Sequence, residues 1–262
     1  MGQLMRYIAV VSLMFAGAGL GWGQSPDSGP DNPPDAPSSS SRARFNTEPT
    51  IGIAVKGSLL GGGVEVAARV THRTNVRAGF NYFSYSRDFT KDSIAYNGQL
   101  EFKTVEAHFD VFPFDGGFHV SPGLLAYIGT PITAAAAVAG GQSFTLGGTT
   151  YYSDTGTPVT GNGNIHFNRV SPMATIGWGN LVPRSHRHFS VPVEVGVVFQ
   201  GSPKANLNLV GNVCDSPGVN CRSIASDPTV QSNILAEQTK VNNSMSFFKF
   251  YPVISVGVGY SF

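Results

Sequence analysis

Ten titratable residues of this chain share one positional habit. Lys56, Glu65, Arg69, Arg77, Glu106, His108, Asp110, Arg169, Glu194 and Lys249 each lie in a run of alternating apolar and polar residues, on the polar parity. In KTVEAHFDV, for example, Val105, Ala107, Phe109 and Val111 alternate with Thr104, Glu106, His108 and Asp110. A β-strand sends successive side chains to opposite faces, so this segment would present acid, imidazole and acid in a row. With His119 across the short Asp115-Gly116-Gly117 turn, such a row could share protons or hold a metal. A third liganding histidine in register is missing, so a satisfied interior histidine is the expectation and no metal or cofactor is predicted. The other chemistry is mutual pairing: five bases and four acids gathered on one confined face form ion-pair networks.

The elements that position these residues follow from the same parity. Ile51, Ile53 and Val55 oppose Gly52, Ala54 and Lys56, and Val64, Val66, Ala68 and Val70 oppose Glu65, Ala67, Arg69 and Thr71. The pattern recurs in NVRAGFNYFSY, GFHVSPGLLAYI, RVSPMATIGWG, FSVPVEVGVVFQG and the terminal YPVISVGVGYSF. About eight segments of roughly ten residues match the number and length of strands in a small transmembrane barrel. Composition agrees: of 262 residues only 13% are charged, while Gly numbers 32 and Phe 18. A net charge of +1 leaves no electrostatic footprint for nucleic acid. Residues 120–152 carry no charge, but Pro122, Pro131 and scattered glycines exclude a lipid-exposed helix there.

A soluble sandwich would alternate as well, but its connections and ends would differ. With both termini in the periplasm, HRTN, DGG and NLVPRSHRH all fall on the periplasmic side and the long connections fall outside. Only the first external connection, LLGGG, is short; RDFTKDSIAYNG, residues 130–165 and residues 203–246 are read as external loops. The same topology gathers Phe118, Trp178, Phe189, Tyr260 and Phe262 at the periplasmic ends, and Tyr82, Phe199, Phe248 and Phe250 near the outer ends. These are two aromatic girdles. The expected fold is therefore all-β, a closed antiparallel transmembrane β-barrel of about eight strands with long external loops. Eight strands leave an interior just wide enough for side chains. Ion pairs filling the lumen are the first expectation, and a narrow conduit lined by the same residues is the second.

Ahead of the barrel, Arg6, the apolar IAVVSLMFAGAGLG and the small-x-small Gly21-Trp22-Gly23 read as a secretory signal over residues 1–23. The Pro/Ser/Asp-rich residues 24–48 cannot bury a core and form a flexible leader, with the barrel domain spanning 49–262. In an exported chain, Cys214 and Cys221, bracketing a Pro-Gly turn in CDSPGVNC, read as a local disulfide. Gly147-Gly148 in SFTLGGTTYY marks an external hairpin, and VQSNILAEQTKVNN has the composition of a short helix.

With these segments in place, the chain resembles the small outer-membrane barrel superfamily that includes the OmpA and OmpX barrels. More closely, it is similar to uncharacterised acidobacterial or proteobacterial barrel proteins sharing GSLLGGGVEVAARVTHRTNVRAGFNYFSY, DVFPFDGGFHVSPG, SPMATIGWGN and VEVGVVFQGSPK, over roughly residues 50–262. Ser255, Gly257, Tyr260 and Phe262 also resemble the C-terminal signal by which Gram-negative barrels reach their insertion machinery. The resemblance implies a fold, outer-membrane lipids and that machinery as partners, a monomer, and a location in the outer membrane of a Gram-negative bacterium. It implies no activity. Ser185 to Ser190 contains a His-x-Ser pair, which serves as the dyad in a lipid A deacylase barrel, but here it falls at a periplasmic turn. A basic turn near lipid headgroups is the expectation, because neither an oriented base nor an oxyanion hole can be placed. The functional expectation is a non-enzymatic barrel that supports envelope integrity or surface interaction through its loops. A narrow channel for small polar or amphipathic solutes is the alternative, and a lipid-modifying enzyme comes third.

Overall fold

The computed structural model describes residues 50–91, 94–114, 116–184 and 187–262. The expected signal and leader lie outside these residues, as do Ser185 and His186. Among the described residues, eight strands close on themselves: β1 (Ile51–Ser58), β2 (Gly61–Thr71), β3 (Thr74–Lys91), β4 (Ile94–Val111), β5 (Phe118–Tyr127), β10 (Val170–Trp178), β12 (Val193–Phe199) and β16 (Phe250–Ser261). Each pairs antiparallel with the next, and β16 returns to β1 in the register Gly52↔Ser261 through Ser58↔Ser255. The Ile51 carbonyl accepts from the Phe262 N–H at 2.9 Å, so the seam is bonded to the last residue and no edge is left there.

Parity sets the two faces as expected. On β16, Ile254 and Val256 are 55% and 54% exposed, whereas Val253, next to Ile254 on the other parity, is 3% exposed. Ile53, Val55, Val64, Val66, Phe109, Ile176 and Val195 continue the exposed apolar band around the other strands. A continuous apolar exterior of this kind would aggregate in water and suits a hydrocarbon solvent. Trp178 stands opposite Phe118, and Phe189 opposite Tyr260, at the end that carries Phe262. At the other end Phe199 faces Phe250, their rings edge-on at 5.7 Å. Among the described residues no helix is long and apolar enough to cross a membrane.

Three local departures from the sequence reading have physical causes. The segment read as one strand across Ser190 to Val193 is broken at Pro192, which lacks an N–H; a two-residue β11 (Phe189–Ser190) precedes β12. Apart from Asp92 and Ser93, which lie outside the described residues, RDFTKDSIAYNG is not loop but strand, in a pair of 18-residue strands, β3 with β4, whose Phe89 and Tyr96 rings stack at 5.0 Å. Eighteen residues reach about 60 Å, well beyond the length a membrane strand needs, so the hairpin's outer half stands clear of the barrel. Lys249 and Phe248 belong to a single 3₁₀ turn (Ser246–Lys249) before β16, not to a wall strand.

The long connections are themselves folded. The outer half of β4 pairs with β6 (Ile132–Val138), which pairs with β9 (Thr160–His166) and then β13 (Lys204–Val210). A second sheet joins β7 (Ser143–Leu146), β8 (Thr149–Ser153), β14 (Asn212–Cys214) and β15 (Arg222–Ser223). Gly147 and Gly148, at φ +59° and +91°, form the β7–β8 turn, where two positive φ values match the right-handed twist of a hairpin. The helix α1 (Pro228–Ser244) is capped by Asp227, whose side chain accepts from the Val230 N–H at 2.9 Å. Its Val230 and Ile234 enter a core with Val138, Leu146, Tyr151, Val159, Val213 and Ile224. Cys214 and Cys221 are disulfide-bonded. Beside them Arg222 contacts Asp215 at 2.7 Å and Asp227 at 2.9 Å, and its hydrogen bond holds the Asp215 carboxyl below the usual carboxylate range.

Candidate functional site

Three successive layers fill the interior, two on the inward parity of the strands and one completed by an inserted turn. The middle one is ionic. Lys56 on β1 donates to Glu65 Oε1 on β2 at 2.6 Å and also to Glu106 Oε1 on β4. Arg77 on β3 reaches Glu65 Oε2 and Asp110 Oδ1, each at 3.2 Å, and pairs with Glu194 on β12. His119 Nε2 lies 2.9 Å from Glu194 Oε1, and its Nδ1 lies 3.2 Å from the Gly117 carbonyl, so both ring nitrogens face acceptors. Ser121 donates to Asp110 at 2.6 Å, and Asn81 donates to Glu106 Oε2 at 3.2 Å. All of these side chains are buried. Charges so confined are held by mutual pairing and polar satisfaction, because removing one partner strands the rest.

Not every residue assigned to the network from sequence is brought there. Arg169 is exposed at the outer end of the wall, just before β10 begins, and Lys249 is exposed on its 3₁₀ turn. Parity counting failed for both because it was carried past a strand end. Arg69 is half-buried near the opposite end, where its Nη2 donates to the Pro183 carbonyl at 3.1 Å. His108 is buried with its Nε2 3.8 Å from Glu106 Oε1, beyond hydrogen-bond range. His119 is committed to Glu194, so the structure gives the two histidines separate surroundings. Among the described residues the one metal-capable grouping is Asp154 with Cys214 and Cys221, whose sulfurs are bonded to each other. His188 Nδ1 lies 2.8 Å from the Ser261 carbonyl, and its ring stacks on Tyr260.

The second layer lies on the outer side and went unnoticed in the sequence. Leu60, Phe102, Leu125, Tyr127, Met173, Val198 and Val253 form a buried apolar cluster, with Phe83, Leu100, Phe167 and Tyr251 packed against it. The Phe102 ring lies 6.0 Å from Tyr251 and 6.2 Å from Tyr127. The Tyr127 hydroxyl donates to Gln200, whose Nε2 donates to the Phe248 carbonyl at 2.9 Å. The signal was present as apolar residues on the otherwise polar parity, confined to the outer halves of their strands.

The third layer closes in from the Phe262 end. Leu181 and Val182, in the connection after β10, are buried against Ala54 and Ala67. Gly52 and Gly259 leave the space: a Cβ on the first would overlap the Leu181 carbonyl, and on the second the Leu181 Cδ1. The turn is anchored by Asn180, whose Oδ1 accepts from Asn75 at 3.0 Å and from the Val182 N–H at 2.9 Å. The Arg184 guanidinium sits 4.6 Å over the buried Phe112 ring.

The residues resembling an insertion signal divide by face. Ser255 is buried, with its hydroxyl 3.4 Å from Glu194 Oε2, and Gly257 is on the same parity of β16. Tyr260 and Phe262 face out, ring to ring at 4.9 Å.

No family model matches the chain, and no curated protein sequence matches it. Among solved structures it is similar to Acinetobacter baumannii CarO, at 18% identity and TM-score 0.48, over 81% of this chain and 98% of that one. It is also similar to Acinetobacter baumannii CarO2, at 19% identity and TM-score 0.49, over 83% of this chain and all of the other. Similarity at this level carries nothing about activity.

Proposed function

We propose that the chain is a non-enzymatic barrel protein of a Gram-negative outer membrane, with a lumen filled by its own side chains. It acts as a monomer, through envelope integrity or surface interaction, and its external cap is the working surface. The observation that carries this reading is the stacking of an apolar layer, an ion-pair layer and an inserted turn along one narrow interior. A water path would have to cross all three, and eight strands leave no spare width. Ser255, Gly257, Tyr260 and Phe262 serve delivery to the insertion machinery, and the apolar band contacts outer-membrane lipids.

The test is single-channel recording of the refolded chain in a planar bilayer, after heat-modifiable migration has verified a folded barrel. Silence is expected. Steady conductance abolished by substituting Arg77 or Glu106 would overturn the filled-lumen reading and favour a narrow channel.

A further inference from the structure

Where β4 exchanges partners, the wall parts. β4 pairs with β5 over Thr104–Val111 but with β6 over Ile94–Leu100, and the chain turns from β5 to β6 through Gly129 and Pro131. A cleft of about 520 Å³ opens there, lined by Val105, Ala126, Ile128, Tyr127, Phe167, His166 and the cation Arg169, with Gly129 and Pro131. That volume falls within the range of small-molecule sites.

Its lining is graded. Val105, Ala126 and Ile128 belong to the lipid-facing parity, and Val105 and Ile128 are exposed. Tyr127 and Phe167, stacked at 5.2 Å, form the floor on the luminal side. Arg169 supplies positive charge, His166 a ring nitrogen beside it, and no carboxylate lines the cleft. Lys204 stands opposite His166 in register, which puts it on the same sheet face. The carboxylate on the adjacent stretch of β4, Glu101, is already 2.9 Å from Lys103. Apolar flank, aromatic floor and unneutralised guanidinium at one membrane edge fit one ligand chemistry: an acyl chain joined to an anionic head. Arginine binds phosphate in a two-pronged, charge-assisted geometry.

We propose that this lateral cleft holds a phosphorylated, acylated glycolipid of the surrounding outer leaflet, its chain along Val105 and Ile128 and its phosphate on Arg169 and His166. The inference rests on the membrane placement proposed above.

The experiment is native mass spectrometry of the refolded full chain released from mixed micelles. The probes are a diphosphorylated, acylated glucosamine disaccharide and its dephosphorylated counterpart, with heat-modifiable migration checked for every sample. The expected result is one phosphorylated lipid retained per barrel, with at least about tenfold preference over the dephosphorylated form. Arg169→Gln should lose most of that preference, Arg169→Lys should keep part of it, and Lys249→Gln should match the parent. Equal retention of both probes, no retention, or an unchanged Arg169→Gln would overturn the proposal while a heat-modifiable band left the barrel standing. Displacement by millimolar inorganic phosphate would overturn it too, assigning the cleft to a free anion. A chain without a heat shift would sink the membrane placement, and this proposal with it.

Discussion

Replacing Arg77 by glutamine removes the one side chain that joins three acids. Arg77 is 3% exposed, and its guanidinium pairs with Glu65, Asp110 and Glu194, which come from three different strands. Two permanent cations, Lys56 and Arg77, face four carboxylates in this layer, so the substitution halves the fixed positive charge. Breaking a buried pair by deleting one partner costs about 3–5 kcal/mol, most of it the penalty of stranding the other charge. With a urea slope of about 2 kcal/mol/M, the unfolding midpoint should fall by about 2 M. Trp178 lies on the lipid-facing girdle, 67% exposed, and its emission should report the transition in lipid vesicles, with heat-modifiable migration as a second probe. Glu194→Gln and the double substitution complete a cycle. Because the second change removes one of the stranded acids, the double variant should be more stable than the sum predicts by about 1 kcal/mol or more. A midpoint shift below about 0.5 M, or strict additivity, would refute an interior held together by shared pairing.

Two other perturbations test the remaining layers and the cap. Gly259→Ala should destabilise the barrel by about 1–3 kcal/mol through overpacking against Leu181, and adding Leu181→Ala should recover part of the loss; thermal unfolding in detergent reads both, and no recovery would exclude the contact. Cys214 and Cys221 close a short loop in the cap, seven positions apart, so a double serine variant should lose about 2 kcal/mol of local stability. Limited proteolysis should then cut the cap faster while the urea midpoint of the barrel is unchanged, because the cap has a core of its own.

The wall was readable from residue order because a lipid-facing strand has to be apolar at every second position, and each of the eight strands obeys this without tertiary help. The Gly147-Gly148 turn and the helix carried their own local signals as well. What sequence missed depends on neighbours. Asp88 and Arg87 look like loop residues, yet their segment is a strand because the outer half of β4, itself held on its far side by β6, pairs with it and Phe89 finds Tyr96 across the hairpin. Arg169 and Lys249 each sit one residue before a wall strand, where parity no longer decides orientation. The apolar layer around Phe102 draws single residues from several strands, so no window along the chain contains it. Leu181 in NLVPRSHRH reads as part of a basic surface turn, and only the glycines at positions 52 and 259 reveal where it goes.

Those two glycines belong to β1 and β16, the first and last strands to be made and the pair that must find each other across the whole length of the domain. Leu181 lies over both. Slide β1 by two residues and the Ala54 methyl moves to where the Gly52 recess should be; β16 carries a second glycine, Gly257, at the same step. Side-chain alternation rejects a slip of one residue but tolerates a slip of two. A single leucine inserted from elsewhere in the chain therefore disfavours a two-residue slip of β1, the one strand of the seam where that slip would put a methyl group in its place.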